Sequence, residues 1–288
     1  MVVKEYGNAD LFLKEYEAIL LEREAAAQLL LYFAHQCLSG HDSGKELFGV
    51  VTEEDHVILL FGIIRGVDLI IYTADKEREE EAAVTVADYL GNSHVIIGGL
   101  NARQTLCQSF LDRYKIYLKG TFIQKLGTDI MELRQVNEIK TAAGNQRLAH
   151  QEDSKLIADW MIQFQIEALM DEADYEAALN RAVQLIERKE VYLYEDEEHQ
   201  VVSMAAATRR LIHGMGITYV FTPEEHRGKG YAAANIYFLS KALLNQGFDF
   251  CTLYVDKKNP LSNRAYEKVG YTVIEDNYEY KIIPMKTS

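Results

Sequence analysis

Apolar and polar positions alternate along the chain in a way that predicts two successive sets of helices and strands. In the first set, apolar residues spaced three or four apart predict helices, and short apolar runs predict strands. The predicted helices cover about residues 8–36, 79–89 and a stretch from about 101, and the predicted strands cover 47–51, 56–64, 67–73, 94–99 and a last run to about 138. The segment KTAAGNQ, residues 140–146, is small and polar with one glycine, and it predicts a domain boundary.

After this boundary the pattern starts again. A short strand over 147–149 precedes a helix whose apolar positions share one face, namely Leu156, Ile157, Trp160, Met161 and Phe164. The other predicted elements are a helix over 174–188, strands over 191–196, 201–211 and 216–222, a helix to about 245, a strand over 250–256, a helix over 260–270, and strands over 271–276 and 278–283. Both sets end in the same order of elements, which indicates an internal duplication. We therefore predict two tandem domains, residues 1–139 and 146–288.

The charge of the chain restricts its partners. Its 288 residues carry a formal net charge of −14, and the sequence pI is about 5.1. A protein that binds nucleic acid usually presents an electropositive surface, so we expect no nucleic-acid partner. The acidity is compatible with a small cationic substrate, although solubility alone also explains it.

The sequence also predicts the compartment. The first residues, MVVKEYGNAD, lack the basic and then apolar build of a signal peptide. The most apolar run, Val57–Tyr72, is interrupted by Arg65 and Asp68 and predicts two buried strands rather than a membrane span. The three cysteines show no CxxC spacing, and the histidines show no ligand spacing, so we expect neither a disulfide nor a metal site. We expect a cytoplasmic protein with no membrane partner.

The segment TPEEHRGKGYAAAN, Thr222–Asn235, places glycines and basic residues at the start of a predicted helix. The first amides of a helix have no partner within it, and their dipoles attract anions. Gly228 and Gly230 have no Cβ, so a phosphate can reach the backbone, and Arg227 and Lys229 add positive charge. The segment therefore predicts a diphosphate-binding loop. It has neither the GxGxxG spacing of dinucleotide-binding folds nor the GxxxxGK[ST] spacing of P-loops.

Two segments of the second half resemble the GNAT superfamily of N-acetyltransferases. Arg227–Ala232, RGKGYA, matches the signature Arg/Gln-x-x-Gly-x-Gly/Ala, and Leu253–Tyr271, LYVDKKNPLSNRAYEKVGY, resembles the strand–Asn–helix–Tyr–Gly-aromatic block. The resemblance covers about residues 146–283. It implies an α/β (α+β) fold with a mixed, mostly antiparallel sheet flanked by helices. It also implies that acetyl-CoA lies in a cleft between two diverging strands.

The resemblance implies roles for individual residues. Amides of Arg227–Ala232 would bind the pyrophosphate, and the end of the fourth strand would contact the pantetheine and face the thioester carbonyl. The residues implied in cofactor binding are Phe221, Thr222, Arg227, Gly228, Lys229, Gly230, Tyr231, Ala232, Asn259 and Ser262. Tyr266 would direct its hydroxyl at the thioester sulfur, and an ordinary tyrosine pKa of about 10 keeps that hydroxyl protonated at neutral pH.

The sequence leaves open which group accepts the proton of the attacking amine. Many members of the superfamily place a glutamate on the fourth strand, but GITYVFT, residues 216–222, has no carboxylate. The other candidates are Glu167, His213, Glu224 and Glu225. A water relay and an amine that arrives neutral are further alternatives.

The first half lacks the features of the diphosphate-binding loop. Laid side by side with the second half, it places Glu79–Glu81 opposite Gly228–Gly230, and like charge repels a diphosphate. With a gap in the alignment, Gln108 stands at the place of Tyr266. We therefore expect no cofactor in the first half. It would cover a sheet edge, shape the acceptor cleft or dimerise.

These features predict an acetyl-CoA-dependent N-acetyltransferase that acts by direct attack of a primary amine, carried by a small molecule or a peptide. Three alternatives remain open: a non-catalytic, coenzyme A-binding regulatory protein, transfer to a hydroxyl, and transfer of a longer acyl group. The sequence also leaves a homodimer open.

Overall fold

The computed structural model describes residues 1–40, 46–64, 68–169 and 174–285. The chain divides into two compact units, one of Met1–Thr128 with Glu275–Ser288 and one of Asp129–Ile274. These units differ from the predicted ranges 1–139 and 146–288, because the last segment of the chain belongs to the first unit. Arg65, and Val67 at the start of the third predicted strand, lie outside the described residues.

The first unit is a sheet with two pairs of helices. Five strands lie wholly within it: β1 Val2–Tyr6, β2 Leu47–Glu53, β3 His56–Ile64, β4 Asp68–Thr73 and β5 Gly99–Ala102. Two longer strands belong to it in part, namely β6 Gly120–Leu133 as far as Thr128 and β12 Thr272–Pro284 from Glu275 onward. Its helices are α1 Ala9–Glu22, α2 Glu24–Leu38, α3 Glu79–Asn92 and α4 Gln104–Tyr114. The strand order is β1-β2-β3-β4-β5-β12-β6, and the pair of β4 and β5 is parallel. The side chains of β2 and β3 alternate between a core shared with α1 and α2 and a core shared with α3 and α4.

The second unit repeats this arrangement. Its strands are β7 Asn145–Leu148, β8 Val191–Glu195, β9 Val201–Arg210, β10 Gly214–Phe221, β11 Phe250–Asp256 and the last part of β6. Its helices are α5 Ser154–Phe164, α6 Tyr175–Glu187, α7 Tyr231–Asn245 and α8 Pro260–Val269, and a π-helical turn, Gln165–Leu169, follows α5. The strand order is β7-β8-β9-β10-β11-β6, with β10 and β11 parallel.

The two faces of the second sheet carry different helices. Met204 and Ala206 of β9 pack in a core with residues of α5 and α6. Ala205 and Ala207, which point to the other face, pack in a core with residues of α7 and α8. The predicted fold class, a mixed and mostly antiparallel sheet flanked by helices, is confirmed.

The structure corrects three predicted elements. The helix predicted over about residues 8–36 is broken at Arg23, where φ is −135° and ψ is 54°. The guanidinium of Arg23 donates to Glu275 at 2.9 Å, so a tertiary contact accompanies a break that the apolar pattern does not show. The strand predicted over 94–99 begins only at Gly99. Ile97 is fully buried although it is not part of a strand, so the apolar run before Gly99 reflects burial and not strand structure. The last two predicted strands form the single strand β12.

The predicted boundary segment, residues 140–146, is part of the second unit. Gly144 has a φ of +133°, and a Cβ there would lie 2.1 Å from the carbonyl oxygen of Glu195. The Tyr194 hydroxyl donates to the Ala142 carbonyl at 2.8 Å. The small residues of this segment therefore allow it to approach β8 closely.

Three general properties bear on function. Within the described ranges, no helix has the length and apolar character needed to span a membrane. Among the same residues, His, Cys, Asp and Glu form no group of three that could hold a metal ion. Cys37, Cys107 and Cys251 are free thiols, and burial raises the pKa of Cys107 and of Cys251 to about 12.

Candidate functional site

The second unit contains a cleft between two neighbouring strands. β10 and β11 pair in parallel over only three positions, Gly214–Gly216 with Phe250–Thr252. Both strands continue beyond these pairs, to Phe221 and Asp256, but no longer pair with each other. Backbone groups on the inner sides of the diverging strands are left for a ligand to bond. The two strands thus diverge where the resemblance implies a cleft for the cofactor.

A bulge in β10 lies at this cleft. Thr218 pairs with Ala206 of β9 and Phe221 pairs with Met204, so β10 contains one residue more than β9 between these pairs. Tyr219, within the bulge, has a φ of +50°, which is rare for a residue with a bulky side chain. Such bulges redirect backbone groups and are common beside active sites. The sequence gives no signal for this bulge, since Tyr219 is neither Gly nor Asn.

The end of β10 is fixed by a buried serine. The Ser203 hydroxyl is fully buried and donates to the Phe221 carbonyl at 3.1 Å. The Thr222 hydroxyl donates to Ser203 Oγ at 3.0 Å. The two residues predicted to contact the pantetheine are thus held in place by side chains of their own unit. Sequence reasoning did not identify Ser203, which is an ordinary strand residue by pattern.

The loop before α7 has the geometry of an anion site. Gly228 and Gly230 have φ values of +78° and +85°, in the left-handed region. The first hydrogen bond of α7 runs from the Ala234 amide to the Gly230 carbonyl at 3.0 Å. The amides just before Ala234 therefore have no partner in the helix. A Cβ at Gly228 would meet nothing within 4 Å, and one at Gly230 would meet only the Ala142 Cβ at 3.9 Å. The glycines therefore leave the approach to these amides open, as an anion site requires.

The side chains of Arg227 and Lys229 have different surroundings in the loop. Its amide donates to the Glu224 carbonyl at 3.1 Å, so the amides available to an anion begin at Gly228. Its guanidinium turns back, donates to the Thr222 carbonyl at 2.8 Å and lies over the Phe221 ring at 5.7 Å. Lys229 is exposed at the loop. Arg227 therefore supports the end of β10, and Lys229 supplies the charge beside the open amides.

Asn259 is the N-cap of α8, and Pro260 follows at the first helical position. Its side-chain oxygen accepts a hydrogen bond from the Ser262 amide at 3.1 Å. Its side-chain NH₂ group is not needed for this cap, so the cap and the predicted bond to pantetheine are compatible. Ser262 lies beside it in the first turn, as predicted.

Tyr266 lies on α8 and is 6% exposed. Its ring contacts the Tyr271 ring edge-on, with centroids 6.1 Å apart. Burial raises the pKa of the Tyr266 hydroxyl, so it stays protonated throughout the physiological range. The Tyr266 ring is thus packed in the core of the second unit.

The sequence offers four side chains as acceptors of the amine proton. The structure places none of these four as a free base beside the diverging strands. His213 precedes β10, whose eight residues span roughly 26 Å, so it lies at the end of the strand away from the loop. Glu224 and Glu225 are exposed in a short turn beyond β10. Glu167 Oε2 lies 2.5 Å from Arg227 Nη2 in an ion pair. The path of the amine proton therefore stays open.

The first unit has the same divergence of strands with different chemistry. β4 and β5 pair over Asp68–Ile70 with Gly99–Asn101 only. Glu79, at the first position of α3, is 4% exposed, and both its carboxylate oxygens lie 2.7 Å from Arg103 Nη1. Arg103 Nε lies 2.8 Å from Glu275 Oε1. In the first unit, the charged side chains at the start of α3 and α4 therefore form ion pairs with one another and with Glu275.

Helix caps correct the alignment of the two halves. Arg103 is the N-cap of α4, as Asn259 is of α8. Counting seven residues from the cap leads to Tyr266 in α8 and to Phe110 in α4. The predicted counterpart, Gln108, is exposed on another face of the helix. A fully buried phenylalanine, which has no proton to donate, therefore stands where α8 has its tyrosine.

Gly230→Ala is expected to weaken acetyl-CoA binding by about tenfold or more, since a methyl group in the left-handed region costs roughly 1–2 kcal/mol and projects into the open cradle. Isothermal titration calorimetry measures this change. Gly247→Ala is the matched control, because Gly247 has a φ of +99° and a Cβ there would meet nothing within 4 Å. It follows α7 rather than preceding it. Equal losses of affinity in the two variants would contradict the role of Gly230.

A comparison with known protein families finds a match within the second unit. Residues 155–271 match the model of the Acetyltransferase (GNAT) family. The match includes the loop at Gly228 and Gly230 and the block that carries Asn259 and Tyr266, so the predicted resemblance is confirmed.

Solved structures of GNAT proteins share the fold of this chain over nearly its full length. A GCN5-related N-acetyltransferase from Sphaerobacter thermophilus is 15% identical, with a TM-score of 0.62 over 100% of this chain and 97% of that one. A GNAT-family acetyltransferase from Colwellia psychrerythraea is 14% identical, with a TM-score of 0.54 over 98% and 100%. A tandem GNAT protein from the clavulanic acid biosynthesis pathway is 10% identical, with a TM-score of 0.52 over 100% of both chains. No curated protein matches the chain.

Proposed function

We propose that the second unit transfers an acetyl group from acetyl-CoA to a primary amine of a small molecule or a peptide. The observation that carries this proposal is the cleft between β10 and β11, which ends at a glycine loop with open amides at the start of α7. Acetyl-CoA, when bound, would supply an acetyl group activated as a thioester. The amides from Gly228 onward and Lys229 would hold its diphosphate, and Asn259 would hold the pantetheine arm.

The residues at the cleft have three tasks in this proposal. Backbone N–H groups of the bulge at Tyr219 would stabilise negative charge that develops on the carbonyl oxygen, because such preorganised donors act on the transition state. The Tyr266 hydroxyl, which burial keeps protonated, would donate its proton to the leaving thiolate. Ser203 and Arg227 would keep the end of β10 in place.

Direct attack by the amine is favoured over a covalent acyl-enzyme. Cys251, the cysteine of the second unit, is fully buried, and its pKa is raised to about 12. A thiol with so high a pKa forms little of the thiolate that nucleophilic catalysis needs. Its Sγ atom lies 3.9 Å from the Ser240 carbonyl oxygen, within the core.

The experiment combines binding and turnover. Acetyl-CoA affinity is measured by calorimetry, and thiol release is followed with panels of amines, amino acids and peptides. Release that requires one class of amine, with the acetylated product identified by mass spectrometry, is the expected result. If acetyl-CoA does not bind, the proposal is wrong.

A second candidate function is coenzyme A binding without turnover. It is favoured by the absence of a carboxylate on β10 and by the engagement of Glu167 with Arg227. Tight acetyl-CoA binding without thiol release, for every class of amine and for hydroxyl acceptors, would support this alternative.

A further inference from the structure

Aromatic side chains of α5 contact aromatic side chains in the last part of β10. The Trp160 ring contacts the Phe221 ring with centroids 6.1 Å apart, and the Phe164 ring contacts the Tyr219 ring edge-on at 5.8 Å. We call these four side chains the aromatic wall. Since Tyr219 is the bulge residue and Phe221 ends the strand, the wall stands directly against the part of β10 that borders the cleft.

Glu167 extends this line of contacts to the cofactor loop. It lies in the π-helical turn, seven residues after Trp160 and three after Phe164, and therefore near the same side of the helix. Its Oε2 atom lies 2.5 Å from Arg227 Nη2. Arg227 in turn donates to the Thr222 carbonyl and covers the Phe221 ring. One guanidinium thus touches the turn, the wall and the end of β10.

The exposure of this ion pair argues against a role in stability alone. The side chains of Arg227 and Glu167 are 40% and 47% exposed. Ion pairs of this kind add little to the stability of a fold, because water screens them. What distinguishes this pair is its position, because Arg227 precedes Gly228, and an anionic ligand at the loop would draw its guanidinium away from the Glu167 carboxylate.

We infer that Glu167 is a positioning residue that holds Arg227, and with it the aromatic wall, until the diphosphate of the cofactor replaces its carboxylate. This inference rests on the proposed function. Binding of the diphosphate at the loop weakens the pair with Glu167, because two anions then share one guanidinium and repel each other. The turn is released, and the wall shifts at the cleft. Cofactor binding and the shape of the acceptor side are therefore coupled.

The chain contains a built-in reporter for this coupling. Trp160 is its single tryptophan, and it belongs to the wall. Coenzyme A is titrated into the wild-type protein and Glu167→Gln, with tryptophan emission and calorimetry recorded in parallel. In the wild type, emission is expected to change as coenzyme A binds. In Glu167→Gln most of this change is expected to be lost, while coenzyme A binds about fivefold more tightly.

Glu187→Gln is the matched control, because it removes one exposed carboxylate from the same unit at the end of α6. It should retain the wild-type emission change and affinity. With acceptor present, Glu167→Gln should change the KM for the acceptor more than kcat. An unchanged emission response and affinity in Glu167→Gln would overturn the inference. Absence of coenzyme A binding in every variant, wild type included, would instead overturn the proposed function.

Discussion

Tyr266→Phe is expected to lower kcat by about 10²–10⁴-fold, the usual contribution of general acid catalysis. The acetyl-CoA affinity should change little, because the loop and Asn259 lie outside the change. The ring remains, so its packing against Tyr271 is retained. Since burial raises the pKa of the Tyr266 hydroxyl above its ordinary value, kcat should show no loss near pH 10 that depends on this residue. Thiol release under saturating acetyl-CoA measures the effect.

The neighbouring tyrosine provides the control. Tyr271 is fully buried in the same core, and its hydroxyl shares a hydrogen bond of 2.8 Å with Ser240. Tyr271→Phe removes that bond and should lower the free energy of unfolding by about 1 kcal/mol, with kcat within about twofold of the wild type. If both substitutions lower kcat equally, the effect of Tyr266→Phe reflects packing, and its assigned role as proton donor is wrong.

Arg103→Leu is expected to lower the free energy of unfolding by about 3–5 kcal/mol, the usual cost of leaving buried charges without a partner. The side chains of Glu79 and Glu275, which face Arg103, are only 5% and 8% exposed. Glu275 keeps the contacts with Arg23 and Lys76, so the larger part of the loss arises at Glu79. Urea titration followed by far-UV circular dichroism measures the change.

Two further variants test the cause. Arg103→Leu combined with Glu79→Leu should recover much of the lost stability, because the buried carboxylate that loses its partner is then removed as well. Arg113→Leu, also on α4, breaks an ion pair with Asp88 whose side chains are 40% and 32% exposed. This control should cost at most about 1 kcal/mol. Equal losses in Arg103→Leu and Arg113→Leu would show that burial of the network contributes nothing.

The sequence predicts the loop before α7 well because its signal is local. Gly228 and Gly230 stand where the backbone needs positive φ, and no other residue type gives this conformation at so little cost. The cap formed by Asn259 is equally local, since its partner is the Ser262 amide three residues later. Patterns that act over a few residues can be derived from residue types alone.

Features that depend on tertiary contacts were missed. The guanidinium of Arg227 contacts Phe221 and Glu167 and does not lie at the open amides. Phe221 ends β10 and Glu167 lies in the turn after α5, so both contacts depend on how these elements pack. The bulge at Tyr219 also carries no local signal, since its pairing with β9 decides it. Glu79 was expected to repel a ligand, but its burial against Arg103 depends on a residue 24 positions away.

Most of β12 comes late in the chain but belongs to the first unit, and this limits the order in which the two units can fold during synthesis. The first unit pairs β5 with Tyr278–Lys281, so its sheet is incomplete until these residues have been translated. Asp129–Ile274 is contiguous and can close its sheet earlier, although the other unit began to emerge from the ribosome first. Cutting the chain at the predicted boundary, residues 140–146, would therefore not separate two domains, because the N-terminal fragment would lack the strand that lies beside β5.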